Sequence, residues 1–597
     1  MKKYLFDQFT ATRLHGEVAY SHNGNYIAYT TNVSGQFNIW IVPSGGGFAR
    51  QLTMFEDWSV RRLYWSHDDS KIAFTADKDG SENRQVFVVL SSGGWPEMLS
   101  NKLQAQYDLS GWSPDDSKLL YSTNDRNPAE KDPVEHDLKT GELHRLMTGH
   151  RNFATGYSPN GRYTNIEQFN GNTDQNIFVL DVESCEAICA TPHESEAFYE
   201  HLGWHPESTG FYMLTNQDRE FSNVAYYDLI AGDWKWFYTV DYDVERLLVL
   251  QERKQVLIFI NVGGRTELKA LTLEGEEVEV AELPVGVVQN ASPSPDSSKI
   301  VLNYTTAKSA SNIYEFDLET GDLLPLSQSM VGGIDPDHMI DPELIHYETF
   351  DGQQIPAWLY IPKTRGDIFP VLLSIHGGPE TQERPVYNYS GMYQYLLNRG
   401  IGILAPNIRG STGFGISYQK LIHRDWGGGE LKDIEFAAKY LQSLDWVDNR
   451  RIGVFGASFG GYSTLNAITR LPDYWSVAVV AAGPSNLVNF VQSVPEFWKP
   501  VMKTWVGDAV EDYDLLTERS PITYLERIKV PLLVIHGAND PRVTQAESDQ
   551  MVERMKALDI DVTYYVDPEE GHGPVKRANA LKWWYMIAEY LEQHMLI

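Results

Sequence analysis

Cysteine is almost missing from this chain, with two among 597 residues, Cys185 and Cys189. That excludes a disulfide framework as the source of stability. Their four-residue spacing could suggest half a metal site, but no further Cys and no nearby His-rich cluster supplies the remaining ligands. They read as structural thiols, and neither a metal nor a cofactor is expected. Basic residues are also scarce, 49 Lys and Arg against 81 Asp and Glu, for a net charge of −32. Such a charge repels nucleic acid and anionic membrane surfaces, which excludes polyanion binding; its plain meaning is solubility. No window approaches the roughly 20 apolar residues that cross a bilayer. The start, Met1-Lys2-Lys3, leads into no apolar stretch of signal-peptide length. A soluble cytoplasmic protein is expected, with no nucleic-acid or membrane partner.

What is present divides in two, since 597 residues exceed a single core. From about Gly16 to Ser327 a short phrase recurs ahead of an apolar strand: a Ser or His, a Pro or His, then an acidic residue or Asn. Its anchors Ser21, Ser66, Ser113, Ser158, His205 and Ser294 fall 45, 47, 45, 47 and 89 residues apart. The last gap is two periods, with a degenerate unit at Gln251 to Lys254 followed by the apolar run Val256 to Ile260. Seven units of several short strands predict a seven-bladed β-propeller, because one small sheet cannot bury both faces until it stacks on neighbours. The units resemble the WD40-like or tachylectin-like blades of bacterial propellers, without their Trp-Asp ending. Alone, such an array reads as a scaffold or binding platform. Ahead of it, residues 1–15 carry Phe6, Phe9 and Leu14 at helical spacing. They are expected to form a short helix against the second domain or a neighbouring subunit.

Past a connector at Met330 to Pro342 the pattern changes to apolar strands alternating with helical stretches. This predicts an α/β-hydrolase domain over 330–597, a mostly parallel sheet flanked by helices, after the propeller at 16–329. Arg451 to Phe455 is an apolar run that leads directly into Gly456-Ala457-Ser458-Phe459-Gly460, the G-x-S-x-G nucleophile elbow. A tight turn there holds the Ser458 hydroxyl out at the sheet edge, and a Cβ at either glycine would clash. Acyl transfer also needs a base and a carboxylate to orient it. After the run Leu532 to Ile535 comes Asp540, and after Val562 to Val566 comes His572, completing the order Ser, Asp, His. His536 is the competing base, but its place just before Asp540 suits loop support better. For the oxyanion, Phe459 supplies the backbone N–H after the nucleophile. His376-Gly377-Gly378-Pro379 follows an early strand, with Gly378 the favoured second donor.

These phrases, with Asn407 to Gly415, Asp425-Trp426-Gly427, His536 to Val543 and Glu570 to Gly573, resemble the prolyl oligopeptidase family of serine peptidases over nearly the whole length. The acylaminoacyl peptidase branch is nearest. The resemblance implies a propeller that restricts access to a buried site, short peptides rather than folded proteins as substrates, and frequent oligomers such as a dimer. Arg542 matches an arginine that binds a substrate carbonyl, the alternative being a salt bridge. Phe490, Phe497, Trp498 and Trp505 are aromatics that could build an apolar pocket or equally serve as core or lid. Phe459 stands where Tyr is frequent in the family, which leaves the backbone donor intact. The leading expectation is release of N-acylated amino acids from peptides. The rivals are a carboxylesterase, a dipeptidyl peptidase holding a free α-amino group with propeller acids, and an interaction protein with a silent hydrolase. No paired-Glu helix is evident for the second.

Overall fold

The computed structural model describes residues 2–330, 332–363 and 368–596. Met1 of the N-terminal segment and Val331 of the connector lie outside the described residues. Seven four-stranded antiparallel sheets occupy residues 15–325. Each is built from four consecutive strands, as in the first blade, His15–Tyr20, Tyr26–Thr31, Asn38–Pro43 and Arg50–Gln51. Blades are sealed by apolar residues from facing sheets, for example Ile39 and Ile41 of blade 1 against Val60, Leu63 and Phe74 of blade 2.

The recurring phrase forms the turn between the first and second strand of each blade. In Ser66-His67-Asp68, the Ser66 hydroxyl donates to Asp68 (2.7 Å) and accepts from the Lys71 N–H (3.0 Å). Ser113 and Ser294 repeat the arrangement with Asp115 and Asp296. A short polar side chain thus closes the turn locally. The next residue, Asp69, Asp116, Ser208 or Ser297, has a positive φ of 56 to 60°. That conformation aims its side chain at the preceding blade: Asp69 accepts from the His22 and Asn23 N–H groups (2.6 and 2.8 Å), and Asp116 from those of His67 and Asp68 (2.8 and 2.9 Å). The period read in the sequence is therefore also a blade-to-blade latch.

No strand is shared between the first and last blades, so side chains close the ring. Asn303 donates to the His15 and Gly16 carbonyls (2.8 and 2.9 Å), and Glu315 accepts from the Tyr20 hydroxyl (2.5 Å) and the Gly45 N–H (2.6 Å). The inner strand of each of the seven blades carries a register shift, as between Val60 and Leu63 or Val244 and Arg246. Such bulges re-aim side chains, here around the propeller axis.

The second domain is one eight-stranded sheet with β1 Glu343–Glu348, β2 Gln354–Tyr360, β3 Phe369–Ile375, β4 Gly402–Pro406, β5 Val447–Ala457, β6 Val477–Ala481, β7 Leu532–Gly537 and β8 Val562–Asp567. The order is β1-β2-β4-β3-β5-β6-β7-β8, antiparallel through β2 and β4 and parallel thereafter. Alternate residues of the central strands face two separate cores. Leu373 and Val454 pack with the helices Gly429–Gln442, Phe459–Arg470 and Gln545–Ala557, whereas Leu372 and Phe455 pack with Met392–Arg399 and Arg577–Met595. Burial on both faces explains why these strands read as unbroken apolar runs.

The N-terminal helix is shorter than the spacing predicted, only Phe6–Phe9. Tyr4, Phe6 and Phe9 are buried against Tyr395 and the C-terminal helix of the same chain. Leu14 takes no part in the helix; its N–H is held by the Asn32 side chain (2.9 Å) at the edge of blade 1.

Candidate active site

Strand β5 ends at Ala457, and Ser458 follows at φ 56°, ψ −123° before the helix Phe459–Arg470 begins. The neighbouring glycines are forced by contact. A Cβ on Gly456 would meet the Gly460 carbonyl oxygen at 2.1 Å, and one on Gly460 would meet that of Ile375 at 2.1 Å. The Ser458 N–H is used by the Ala481 carbonyl (2.8 Å), which fixes the turn to β6.

Asp540 follows β7 and His572 follows β8, and the structure brings them together: His572 Nδ1 lies 2.7 Å from Asp540 Oδ2. The other oxygen of Asp540 accepts from the Arg542 and Val543 N–H groups (2.9 and 3.0 Å). Burial alone would raise the Asp540 pKa, but the His536 ring, with Nε2 3.4 Å away, and the hydrogen bond from His572 hold it well below the usual carboxylate range. An ionised Asp540 selects the His572 tautomer that leaves Nε2 free as a base. His536 is fully buried, with Nδ1 on the Ser548 hydroxyl (2.7 Å) and Nε2 on the Val543 carbonyl (2.8 Å), so both nitrogens are occupied. The loop carrying His572 folds around Glu570, whose buried carboxylate accepts from the N–H groups of Val575 and Lys576 and from Asn579.

The two backbone donors expected from the sequence, those of Phe459 and Gly378, belong to segments next to Ser458. The Phe459 N–H is the first of its helix and has no intrahelical acceptor, and the helix N-terminus favours negative charge there. Gly377 lies directly against Ser458, since a Cβ on it would sit 3.3 Å from Ser458 Cβ. The Gly377 carbonyl is pinned by His376 Nδ1 (2.8 Å) and the Thr381 hydroxyl (2.6 Å). Burial lowers the His376 pKa; Nδ1 donates to the Gly377 carbonyl, and Nε2 lies 2.9 Å from the Ser411 hydroxyl, which itself donates to the Ile408 carbonyl (2.7 Å). In a planar trans peptide the Gly378 N–H points opposite to that pinned carbonyl, and so it is held in place.

Three of the four candidate pocket aromatics, Phe490, Trp498 and Trp505, pack in one hydrophobic cluster, and Phe497 meets Trp498 edge-on (6.2 Å) at its margin. Phe490 is buried and stacks on Trp426 (5.9 Å), which also packs on Phe459 (4.7 Å) and Trp505 (5.2 Å). Trp498 lies under the Arg542 guanidinium (5.7 Å), whereas Phe497 faces the propeller, with Lys131 over its ring and Arg151 on its carbonyl. Trp426, which spacing alone did not mark as a pocket residue, is thus the hub; its signal was the phrase Asp425-Trp426-Gly427. Arg542 makes the salt bridge that was its alternative reading, 2.8 Å to Glu82 in a blade-2 turn.

That turn touches the site directly. Gly80 (φ 71°) packs on the His572 loop so closely that a Cβ on it would meet the Gly571 nitrogen at 2.6 Å, and Lys576 pairs with Asp79 (2.8 Å). The segment after Gly378 is held by blades 4 and 6, through Glu380 with Asn172, Gln382 with Asn261 (2.7 Å) and Arg384 with Glu245 (2.8 Å). Between the domains lies a cavity of about 590 Å³ that reaches Gly378 and Trp505. Five carboxylates line it, Glu200, Glu220, Asp243, Glu245 and Glu380, and no Lys or Arg does among the described residues. Glu245 has Arg384 and Glu380 has His423 (2.9 Å) as partners, but among the described residues Asp243 has no cation within salt-bridge distance and accepts from backbone N–H groups, that of Ser222 (2.8 Å) and that of Gly413. Burial pushes the Asp243 pKa up to about 6 and raises that of Glu200, with Arg246 and Arg62 pulling the latter back. Sequence reading missed these acids because they are scattered over blades 5 and 6 and the segment after Gly378, and meet only in the folded protein. Among the described residues, no group of three or more His, Cys, Asp or Glu could hold a metal ion, and no helix is long and apolar enough to cross a membrane.

A strained serine after a parallel strand, an Asp–His pair at the next strand ends and a propeller over them define a serine hydrolase with a covered site. Residues 387–596 match the model of the prolyl oligopeptidase family, and residues 52–329 match that of the prolyl oligopeptidase N-terminal beta-propeller domain. The chain belongs to the prolyl oligopeptidase family and is a serine peptidase of that family. It is 27% identical over 600 residues to dipeptidyl aminopeptidase BIII of Pseudoxanthomonas mexicana, covering 94% of this chain and 84% of that protein. It is 25% identical to the uncharacterized peptidase YuxL of Bacillus subtilis, over all of both chains. Two solved structures share the fold. A puromycin-hydrolyzing peptidase of Mycobacterium tuberculosis has TM-score 0.84 at 18% identity, over 99% of this chain and 95% of that one. The acylaminoacyl peptidase of Pyrococcus horikoshii has TM-score 0.76 at 17% identity, over 100% and 98%.

Proposed function

We propose that this peptidase acts on short peptides with a free amino terminus, releasing one or two residues from that end. Ser458 attacks the scissile carbonyl while His572 takes its proton, and Asp540 stabilises the imidazolium that forms. The Gly378 and Phe459 N–H groups receive the oxyanion, and His572 returns the proton to the departing amine. Water then repeats the sequence on the acyl-enzyme. Arg542, its charge balanced by Glu82, is poised to hold a substrate carbonyl, and Trp426, Phe459 and Trp505 offer an aromatic wall for the residue before the scissile bond.

The observation that carries the free-amine reading is the anionic cavity beside Gly378. Among the described residues Asp243 and Glu200 lack a counter-ion within salt-bridge distance, so a substrate ammonium would complete them. The relationship to a dipeptidyl aminopeptidase supports the same choice. Release of N-acylated amino acids, the leading expectation from the sequence, is the second reading. It is favoured by the half-buried Trp498 indole beside Arg542, which offers apolar surface to an uncharged acyl group.

Matched chromogenic peptides ending in Ala, Leu or Phe, each with a free and an acetylated amino terminus, decide between them. The free-amine reading expects the larger kcat/KM for the unacetylated members. Preference for the acetylated ones would move the assignment to acylaminoacyl peptidase, and turnover of a nitrophenyl ester alone would move it to an esterase.

A further inference from the structure

The turn between the second and third strands of blade 2, Lys71–Lys78 and Gln85–Leu90, has a strained backbone. Asp79, Gly80 and Glu82 have φ of 49°, 71° and 59°, so two residues with side chains sit in the left-handed region beside a glycine. The matching turn of blade 1 puts only a glycine there, Gly35 at φ 100°. Such residues are costly and persist where the surroundings impose the conformation, often at functional sites. The anchor here is Asp77, fully buried and paired with Arg61; its Oδ2 accepts from the Glu82 N–H (3.3 Å).

Each charged side chain of the turn has a partner of its own. Asp79 takes Lys576 (2.8 Å), Arg84 takes Asp108 (2.5 Å), and Glu82 takes Nε of Arg542 (2.8 Å). Arg542 is also fixed by its own loop, where its N–H donates to Asp540 Oδ1 (2.9 Å), and its guanidinium lies 5.7 Å from the centre of the Trp498 ring. Among the described residues no other carboxylate lies within 4 Å of that guanidinium. The Arg542 side chain remains 40% exposed, so a substrate group can reach it.

Salt bridge and substrate contact are therefore not alternatives for Arg542. A guanidinium presents a fork of N–H donors, and one carboxylate leaves some of them to spare. What the carboxylate removes is the net charge. A neutral amide carbonyl still accepts a hydrogen bond from such a pair, whereas a second carboxylate meets the negative charge already there.

We propose that Glu82 is a specificity-determining residue supplied by the propeller: it neutralises Arg542, so that the site accepts an uncharged residue beside the one in the aromatic pocket and rejects an acidic one. The inference rests on the reading of Ser458 as a peptidase nucleophile and of Arg542 as a substrate contact.

The test uses chromogenic dipeptide anilides whose first residue is Gln or Glu and whose second is the best accepted of Ala, Leu and Phe. Each is made with a free and with an acetylated amino terminus, which keeps the outcome independent of how the amine is recognised. The readout is the ratio of kcat/KM, Gln substrate over Glu substrate. Glu82→Gln keeps the size of the side chain and an acceptor for Arg542. It is expected to lower the ratio about ten-fold, the worth of a charge-assisted hydrogen bond, through a gain on the Glu substrate. Adding Arg542→Gln to Glu82→Gln cancels that gain. Asp79→Asn takes a charge from the same turn without touching Arg542 and is expected to leave the ratio within about two-fold of the wild type. A purely structural Glu82 would lower turnover of both substrates alike and leave the ratio unchanged, which overturns the proposal. An equal shift in Asp79→Asn, or a gain that survives Arg542→Gln, overturns it as well. A wild type inactive on all four substrates overturns the peptidase reading itself.

Discussion

Gly80→Ala places a single methyl group in the propeller and is expected to damage chemistry in the other domain. The residue has φ 71°, where an L side chain costs roughly 1–2 kcal/mol. The added Cβ would also stand 2.6 Å from the Gly571 nitrogen and 3.1 Å from its Cα. Relieving the first contact to an ordinary separation needs a shift on the order of 0.8 Å, shared between the blade-2 turn and the loop that carries His572. A misplacement near 1 Å in a catalytic group is worth about 10²-fold in rate. The expected loss in kcat/KM is therefore about 10- to 100-fold, with fold retained and thermal stability lowered by a few degrees. Gly141→Ala is the control, with φ 74° and nothing within 4 Å of its Cβ. It carries the backbone strain without the contact. Steady-state kinetics and the rate of fluorophosphonate labelling, read side by side with circular dichroism, separate the two. Equal activity in Gly80→Ala and Gly141→Ala would refute the claim that the propeller seats the His572 loop.

Thr381→Val removes one of the two donors that pin the Gly377 carbonyl. We expect kcat to fall about three- to ten-fold with little change in KM, and an equal rise in KM instead would place Thr381 in substrate binding. Asp243 ionises at about 6 in the folded protein, so KM for free-amine peptides is expected to fall as pH rises through that value. Asp243→Asn should abolish the inflection and raise KM about ten-fold, the worth of a charge-assisted hydrogen bond; acetylated substrates measured in parallel should show neither effect. Glu167 is buried with the charge of Glu200 nearby, and both raise its pKa, to about 8 from 4.5. The folded state then binds more protons than the unfolded one between those values, so stability falls as pH rises through the window. At pH 7 the penalty is about 3 kcal/mol, and Glu167→Gln, which keeps an acceptor for the His201 N–H, should raise the melting temperature at pH 7 and flatten its dependence from pH 5 to 8. An unchanged pH slope would show that the group titrates normally.

The architecture was legible because each of its signals is local. The Ser-x-Asp turns recur at nearly constant spacing since every blade needs the same hydrogen-bonded turn, and the strands of a two-faced sheet read as apolar runs. The elbow was legible for the same reason, since Gly456 and Gly460 are fixed by contacts within a few residues and with β3. The pairing of Asp540 with His572 followed from order along the chain, and His536 proved to be the loop support its position suggested. What could not be read was long-range. Glu82 meets Arg542 across 460 positions of sequence, and Gly80 meets Gly571 across a domain boundary. Phe497 and Phe490 are seven residues apart yet face different domains, because Val494 and Pro495 break the helix between them. The acids of the cavity carry no motif at all; their proximity is a product of blades 5 and 6 lying side by side and of the Glu380 segment packing against them. The sequence expectation of an N-acylated substrate rested on family resemblance, whereas the proposal of a free amine rests on these acids.

The central claim is that Ser458 is the nucleophile of a working triad. Intact-mass spectrometry after treatment with a fluorophosphonate, followed by peptide mapping, tests it most directly. The account predicts one adduct per chain, on the peptide containing Ser458, absent in Ser458→Ala and much slower to form in His572→Ala. Peptidase activity that survives in Ser458→Ala, or an adduct that forms elsewhere, would contradict it.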